Sequence, residues 1–186
     1  MIKKIKKILF EPDIFFSKLK EDGVKKSAIY YLILSLFTTI LLVVLSLVAF
    51  NQRWNIGLMQ YKDVVEISIG MIFVLGVLIY ILGFAFSFVG AYLLHLWLKL
   101  WGANVEYFKT YQLCAYSRTP NFLLGWIPFI GLLASVYRLV LLIMGTERIH
   151  KLPHKKAIYA YVIPLILWLL VMIILVSVVY SLYGQI

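Results

Sequence analysis

Long apolar runs alternate with short polar segments along this chain. A helix needs about 20 apolar residues to cross the hydrocarbon core of a bilayer, and the runs at 27–50, 67–98 and 157–183 reach that length. The second run exceeds the thickness of the core at about 1.5 Å per residue, so we expect it to tilt or to project beyond one face. Pro164 lies inside the last run and predicts a kink there.

The segment between the second and last runs is interrupted by polar residues. Its second half, 129–146, is typical of a span that contains Arg138, and its first half, 108–125, is a weaker match. The residues that dilute the first half are Lys109, Gln112, Arg118, Pro120 and Asn121. Either two thin spans meet at a tight turn over residues 125–128, or a re-entrant hairpin enters and returns on one side. We favour two spans, and the rest of the topology is the same in both cases.

This pattern predicts an all-α fold, namely a five-helix transmembrane bundle at 27–186 that follows a cytoplasmic segment at 1–26. Composition agrees, because 63% of the 186 residues are hydrophobic and 14% are charged, against about 45–50% and 25% in soluble domains. A globule of this size cannot hide so much apolar surface. A soluble enzyme, a disordered chain and a secreted disulfide scaffold are excluded, and the single cysteine, Cys114, matches no metal or redox spacing.

Basic residues are distributed unevenly between the two sides of the predicted membrane. One side carries fourteen of them: Lys3, Lys4, Lys6, Lys7, Lys18, Lys20, Lys25, Lys26, Lys99, Lys109, Arg148, Lys151, Lys155 and Lys156. The other side carries only Arg53 and Lys62. The positive-inside rule therefore predicts a cytoplasmic N-terminus and, after five crossings, an outside C-terminus. Because these charges flank hydrophobic runs, the net charge of +10 does not indicate a nucleic-acid partner.

The first ten residues have the pattern of an amphipathic helix. Ile2, Ile5, Ile8 and Leu9 fall at helical spacing, and Lys3, Lys4, Lys6 and Lys7 lie between them. Such a helix lays its apolar stripe along the headgroups and attracts anionic lipid by about 1 kcal/mol per charge. The alternative is that these lysines only fix the topology. Membrane lipids with anionic headgroups are thus the predicted partners.

Gly76, Gly83 and Gly90 recur every seven residues and share one face of the second span. In lipid, a glycine face lets another helix approach closely. That helix belongs either to a second copy or other membrane protein, or to the same chain. We favour packing within the chain, because five spans have many internal surfaces to fill.

Arg118 and Arg138 are the most informative residues, because each lies roughly 13–17 Å from the cytoplasmic end of its predicted helix. A charge at that depth costs at least about 2.5–3.5 kcal/mol, and no carboxylate lies inside any predicted span. The available partners are Tyr116, Asn121, Tyr137, a backbone carbonyl freed near Tyr116 by Pro120, the distant Glu106 and Glu147 at the helix ends, or a bound anion. We favour carbonyl bonding at a break between spans, and the alternative is a basic cavity for a phosphate-bearing lipid headgroup.

The histidines and the remaining motifs give no sign of catalysis. His150 and His154 are four residues apart, but Pro153 separates them and no third ligand is near, so a solvated loop is the expectation and no metal is predicted. His95, beside Trp97 and Lys99, fits an interfacial belt. No nucleophile elbow, phosphate-binding loop or acid pair is present, so we predict neither an enzyme nor a cofactor.

Several short motifs, taken in order, resemble the YIP family (Ypt/Rab-interacting-protein domain) in its short prokaryotic form. They are EPDIFF at 11–16, AYSRTP at 115–120, Gly131, and GTERIHKL at 145–152 followed by Lys156 and Ala157. The resemblance implies five membrane helices with a cytoplasmic N-terminus. Eukaryotic members are associated with Rab-type GTPases and with membrane shaping or vesicle traffic. This chain lacks their long N-terminal region and its Asp-Leu-Tyr-Gly-Pro motif, so GTPase binding is not carried over.

These observations lead to two hypotheses about function. The first is a non-enzymatic membrane organiser or trafficking-type adaptor that acts through lipid contacts and helix–helix contacts. The second is a small transporter or lipid-moving protein that uses a polar cleft near the two arginines. A hydrated cleft that reaches both guanidinium groups favours the second hypothesis, and arginines sealed by backbone carbonyls favour the first.

Overall fold

The computed structural model describes residues 1–20, 23–55 and 69–183, and it contains only helices and short connections in these ranges. The helices are α1 (Ile2–Phe10), α2 (Pro12–Ser17), α3 (Lys25–Asn55), α4 (Ile69–Leu100), α5 (Tyr107–Ser117), α6 (Thr119–Leu124), α7 (Ile130–His150) and α8 (His154–Tyr183). Some of the residues that the predictions name lie outside the described part. They are the predicted start of the second span at 67–68, the basic residue Lys62 and residues 184–186.

Four of these helices are long and apolar enough to cross a membrane. The candidate spans are Lys25–Ala49, Gly70–Leu100, Ile130–His150 and His154–Ser181. The chain is therefore an all-helical, multi-pass integral membrane protein. We call the end of the bundle where α3, α5 and α8 begin, and where α4 and α7 end, the basic end.

The predicted span 108–125 is not a continuous helix. It consists of α5 and α6, which meet at Arg118, and Pro120 lies in the first turn of α6. Together they cover 18 residues, or about 27 Å. Seven of the eleven residues of α5 are buried, and α5 packs against α3, α4 and α7. The segment tolerates its polar residues because α5 faces protein neighbours instead of lipid.

A tight turn over residues 125–129 joins α6 to α7, in the place that the sequence predicts. Phe129 has a positive φ of 64° and is 88% exposed. Gly131 follows in the first turn of α7, where an added Cβ would lie 2.7 Å from the Gly125 carbonyl oxygen. Only glycine fits there without moving backbone.

The two N-terminal helices pack onto the bundle. Ile8 and Phe16 are buried in a core with Tyr116 and Leu141, and Ile5 packs against that core. The stripe that the sequence predicts along the headgroups is therefore turned largely inward, and only Ile2 at its start is strongly exposed. Tertiary packing gives this apolar face a better-fitting surface than the headgroup region does.

The three predicted packing glycines of α4 have different surroundings. A Cβ on Gly76 would lie 2.7 Å from Cγ2 of Val43 on α3, whereas a Cβ on Gly83 or Gly90 would meet no described atom within 4 Å. Of the three glycines, Gly76 is the one at which a Cβ would collide with another described helix. A role of Gly83 and Gly90 in helix packing stays a prediction.

Helix α8 joins the bundle only near its start. Ala157, Ala160 and Tyr161 are buried, and every residue from 163 to 181 is exposed. The helix continues through Pro164 as a single element. This outer part is the apolar surface that the composition requires to face lipid.

Candidate functional site

The two arginines lie at similar distances from the basic end. Arg118 caps the C-terminus of α5, about 17 Å from Tyr107, and Arg138 lies inside α7, about 18 Å from His150. Both side chains are partly exposed. The helices that hold them, α5 and α7, pack against each other. We call Arg118, Arg138 and Tyr31 the arginine site.

Tyr31 is the partner of Arg118, and sequence reasoning missed it. The Arg118 Nη1 atom donates to the Tyr31 hydroxyl at 2.7 Å, and the guanidinium carbon lies 5.4 Å from the centroid of the tyrosine ring. The same hydroxyl donates to the Gly83 carbonyl on α4 at 3.1 Å. A hydroxyl contact and a ring contact stabilise the cation without neutralising it.

Neither guanidinium group is fully satisfied. The Nε atoms of Arg118 and Arg138 are buried and have no hydrogen-bond partner among the described residues. No carboxylate of the described chain forms an ion pair with either arginine. Arg118 lies at the end of α5 and Arg138 on α7, and these two helices are in contact. Among the described residues, the site therefore has two positive charges and no carboxylate partner.

The three predicted side-chain partners are engaged elsewhere. Asn121 donates to the Ser135 hydroxyl at 2.9 Å, and the Tyr137 hydroxyl donates to the Leu9 carbonyl at 2.6 Å. The Tyr116 hydroxyl accepts from Lys4 Nζ at 3.0 Å.

The carbonyl of Tyr116, which Pro120 was expected to free, has a local partner. Thr119 Oγ1 donates to the Tyr116 carbonyl at 2.6 Å, and the same hydroxyl lies 2.8 Å from the Tyr30 hydroxyl. The hydrogen bond described for the Arg118 guanidinium goes to Tyr31 and not to this carbonyl. The threonine beside Pro120 satisfies the freed acceptor locally, as short hydroxyl side chains often do.

The four N-terminal lysines differ in exposure. Lys3, Lys6 and Lys7 point outward. Lys4 turns inward, and its Nζ lies 4.7 Å from the centroid of the Tyr116 ring. Three of the four thus remain available to a membrane surface.

The histidines are placed differently from the expectation. His95 and His150 are 5% and 4% exposed, and both approach the buried Thr110 hydroxyl, His95 Nδ1 at 2.9 Å and His150 Nε2 at 3.4 Å. The prediction of a solvated loop is wrong for His150, because α7 extends through that residue and packs it against α5. His154 is exposed and lies 2.6 Å from a Glu147 carboxylate oxygen. The described side chains include no group of three His, Cys, Asp or Glu residues placed to hold a metal ion.

These features define a class: a polytopic helical membrane protein with two arginines in its bundle that pair with no carboxylate of the described residues. The chain belongs to the Yip1 domain family, whose model matches residues 6–177, nearly its whole length. This match confirms the resemblance drawn from the motifs. No curated protein and no solved structure matches the chain.

Proposed function

We propose that this protein is a non-enzymatic membrane organiser, an adaptor of the trafficking type, that binds an anionic lipid through the phosphate of its headgroup. The observation that carries the proposal is the arginine site, in which two cations on contacting helices have no carboxylate partner among the described residues. An intramembrane charge without a protein partner points to a ligand or water of opposite polarity. A phosphate is the anion that planar guanidinium groups bind best.

The topology that we propose has five crossings. The four long helices account for four of them, and α5 and α6, about 27 Å together, are nearly long enough for another. The charge distribution supports a cytoplasmic basic end with the C-terminus outside. In this arrangement Lys3, Lys6 and Lys7 lie at the cytoplasmic leaflet, where they attract anionic lipid. The exposed surface of α8 is free to contact lipid or a helix of another membrane protein.

The test is lipid retention measured by native mass spectrometry from a mild detergent. The wild-type protein is purified beside Arg138→Leu and a matched control, Arg148→Leu, which removes the same charge from an exposed position on the same helix. A charge-assisted hydrogen bond contributes about 1.5–3 kcal/mol. We expect Arg138→Leu to retain anionic phospholipid at least tenfold less, and the control to behave as wild type. Equal retention in all three proteins would refute the headgroup proposal.

A second candidate function is movement of lipid or of a small anion. The structure favours it in one respect, because Arg118 bonds to a tyrosine hydroxyl and neither arginine is sealed by backbone carbonyls among the described residues. A headgroup carrier needs such an accessible cationic site. Reconstitution into vesicles that hold a fluorescent anionic lipid separates the two functions. Protein-dependent exchange between leaflets supports movement, and its absence together with tight retention supports the organiser.

A further inference from the structure

A groove between α3 and α4 begins close to the arginine site. One face of α3 from Leu36 to Leu47 and one face of α4 from Phe73 to Tyr80 line it at helical spacing, and the cavity measures about 220 Å³. Its exposed lining is almost entirely apolar. The face on α3 covers 11 residue steps, or about 16 Å of length.

Hydrogen bonds and neighbouring positions on α3 join this groove to the arginine site. The Tyr80 hydroxyl donates to the Leu32 carbonyl at 3.3 Å, and its ring lines the groove. Leu32 follows Tyr31, which accepts from Arg118 and donates to Gly83. Leu36 lies one helical turn beyond Leu32, or about 5.4 Å along α3. The arginine site and the end of the groove at Leu36 are therefore neighbours.

The shape of the groove favours a narrow ligand. The space of about 220 Å³ is spread along those 16 Å as a narrow strip between α3 and α4. A hydrocarbon chain is narrow enough, and it matches the apolar lining. Gly76 keeps the groove narrow, because it lets Val43 of α3 approach α4 closely.

We propose that the α3–α4 groove holds one acyl chain of the anionic lipid whose phosphate lies at the arginine site. This inference rests on the proposed function and adds to it a binding place for an acyl chain of the same lipid. The occupant is a phospholipid, bound by its charge at one end and by one of its chains along about 16 Å of groove. Selectivity then depends on both parts, since a free phosphate lacks the chain and a neutral lipid lacks the charge.

The experiment fills the groove and measures bound lipid. Val77→Trp places a bulky ring in the groove, and the matched control Leu78→Trp places it on the neighbouring position, which does not line the groove. Both variants and the wild type are equilibrated with phosphatidylglycerol in mild detergent, and native mass spectrometry counts the retained lipid. We expect at least a threefold loss for Val77→Trp and no loss for Leu78→Trp. Inorganic phosphate alone should leave no retained adduct.

The outcomes distinguish this inference from the proposed function. If Arg138→Leu loses the lipid and Val77→Trp keeps it, the groove is rejected and the headgroup site stands. If Val77→Trp loses the lipid and Arg138→Leu keeps it, the groove binds a chain without the arginines, and the joint site is overturned. A dimer that dissociates in Val77→Trp with no change in lipid would assign the groove to a second copy and overturn the inference. Thr39→Phe, from the α3 wall of the groove, repeats the test if Val77→Trp does not fold.

Discussion

Gly145 marks the place where the N-terminal helices meet the bundle, and its substitution gives a sharp test of the packing. A Cβ at this position would overlap Leu113 Cδ1 on α5 and would lie 3.4 Å from two ring carbons of Phe16 on α2. Carbon atoms in contact normally lie about 3.5–4.0 Å apart. Leu113 is fully buried, so its side chain cannot swing into solvent to relieve the overlap.

The expected loss of stability in Gly145→Ala follows from a comparison with Gly90→Ala, where the new Cβ meets nothing within 4 Å. Each substitution gains about 0.8–1.0 kcal/mol of helix propensity, and this gain cancels between the two variants. Overpacking of a filled core costs about 1–3 kcal/mol. We therefore expect Gly145→Ala to be less stable than Gly90→Ala by about 1–3 kcal/mol, and Gly90→Ala to be at least as stable as the wild type.

The assay is unfolding in mixed micelles with increasing sodium dodecyl sulfate, followed by tryptophan fluorescence. Trypsin cleavage at Lys18 and Lys20 adds a local measurement, because displacement of Phe16 should loosen α2 and speed cleavage there. If the two alanine variants unfold at the same detergent fraction, or if Gly90→Ala is the weaker one, the described packing of α5 and α2 against α7 is wrong.

Three further predictions concern the arginine site, the histidine pair and the topology. Tyr31→Phe removes the hydroxyl that accepts from Arg118, and it should lower the free energy of unfolding by about 1.5–3 kcal/mol in the same micelle assay. Thr110→Val removes the hydroxyl that both buried histidines approach, and thermal unfolding should show a loss of about 1–3 kcal/mol. In a chain whose native cysteine is replaced by serine, a cysteine at Gln185 should react with an impermeant thiol reagent outside the cell, and one at Lys151 should not.

Each of these predictions has a control or a contrary result. Tyr159→Phe and Ser177→Ala remove hydroxyls from exposed positions, and both should leave stability within about 0.5 kcal/mol of wild type. If these controls are as damaging as Tyr31→Phe and Thr110→Val, the buried hydroxyls have no special role. Labelling of the cysteine at Lys151 from outside would reverse the proposed orientation.

Hydropathy predicted the long helices because the physical requirement is local. A span must be apolar over about 20 consecutive residues, and α3, α4, α7 and α8 each meet that requirement. The segment that forms α5 and α6 was harder to predict from hydropathy for the same reason. Its polar residues are satisfied by contacts such as Gln112 with the Gly23 carbonyl, 89 residues away, and hydropathy carries no information on such contacts.

The site was predicted in part. The sequence identified Arg118 and Arg138 because charges inside apolar runs are visible without a structure. It did not identify Tyr31, which is 87 residues from Arg118 in sequence, nor the burial of His150 beside Thr110. In each case the missing information is which helices become neighbours, and one chain's apolar periodicity does not determine that.

The attachment of α8 by one end has a mechanical consequence. Because residues 163–181 are exposed in the described structure, their tilt depends only on the packing of the helix near Tyr161 and on the surrounding hydrocarbon. A thinner bilayer should lean this helix over while the rest of the bundle stays as it is. The tilt angle of α8 would then change with local bilayer thickness, and the helix would turn about its packed start near Tyr161.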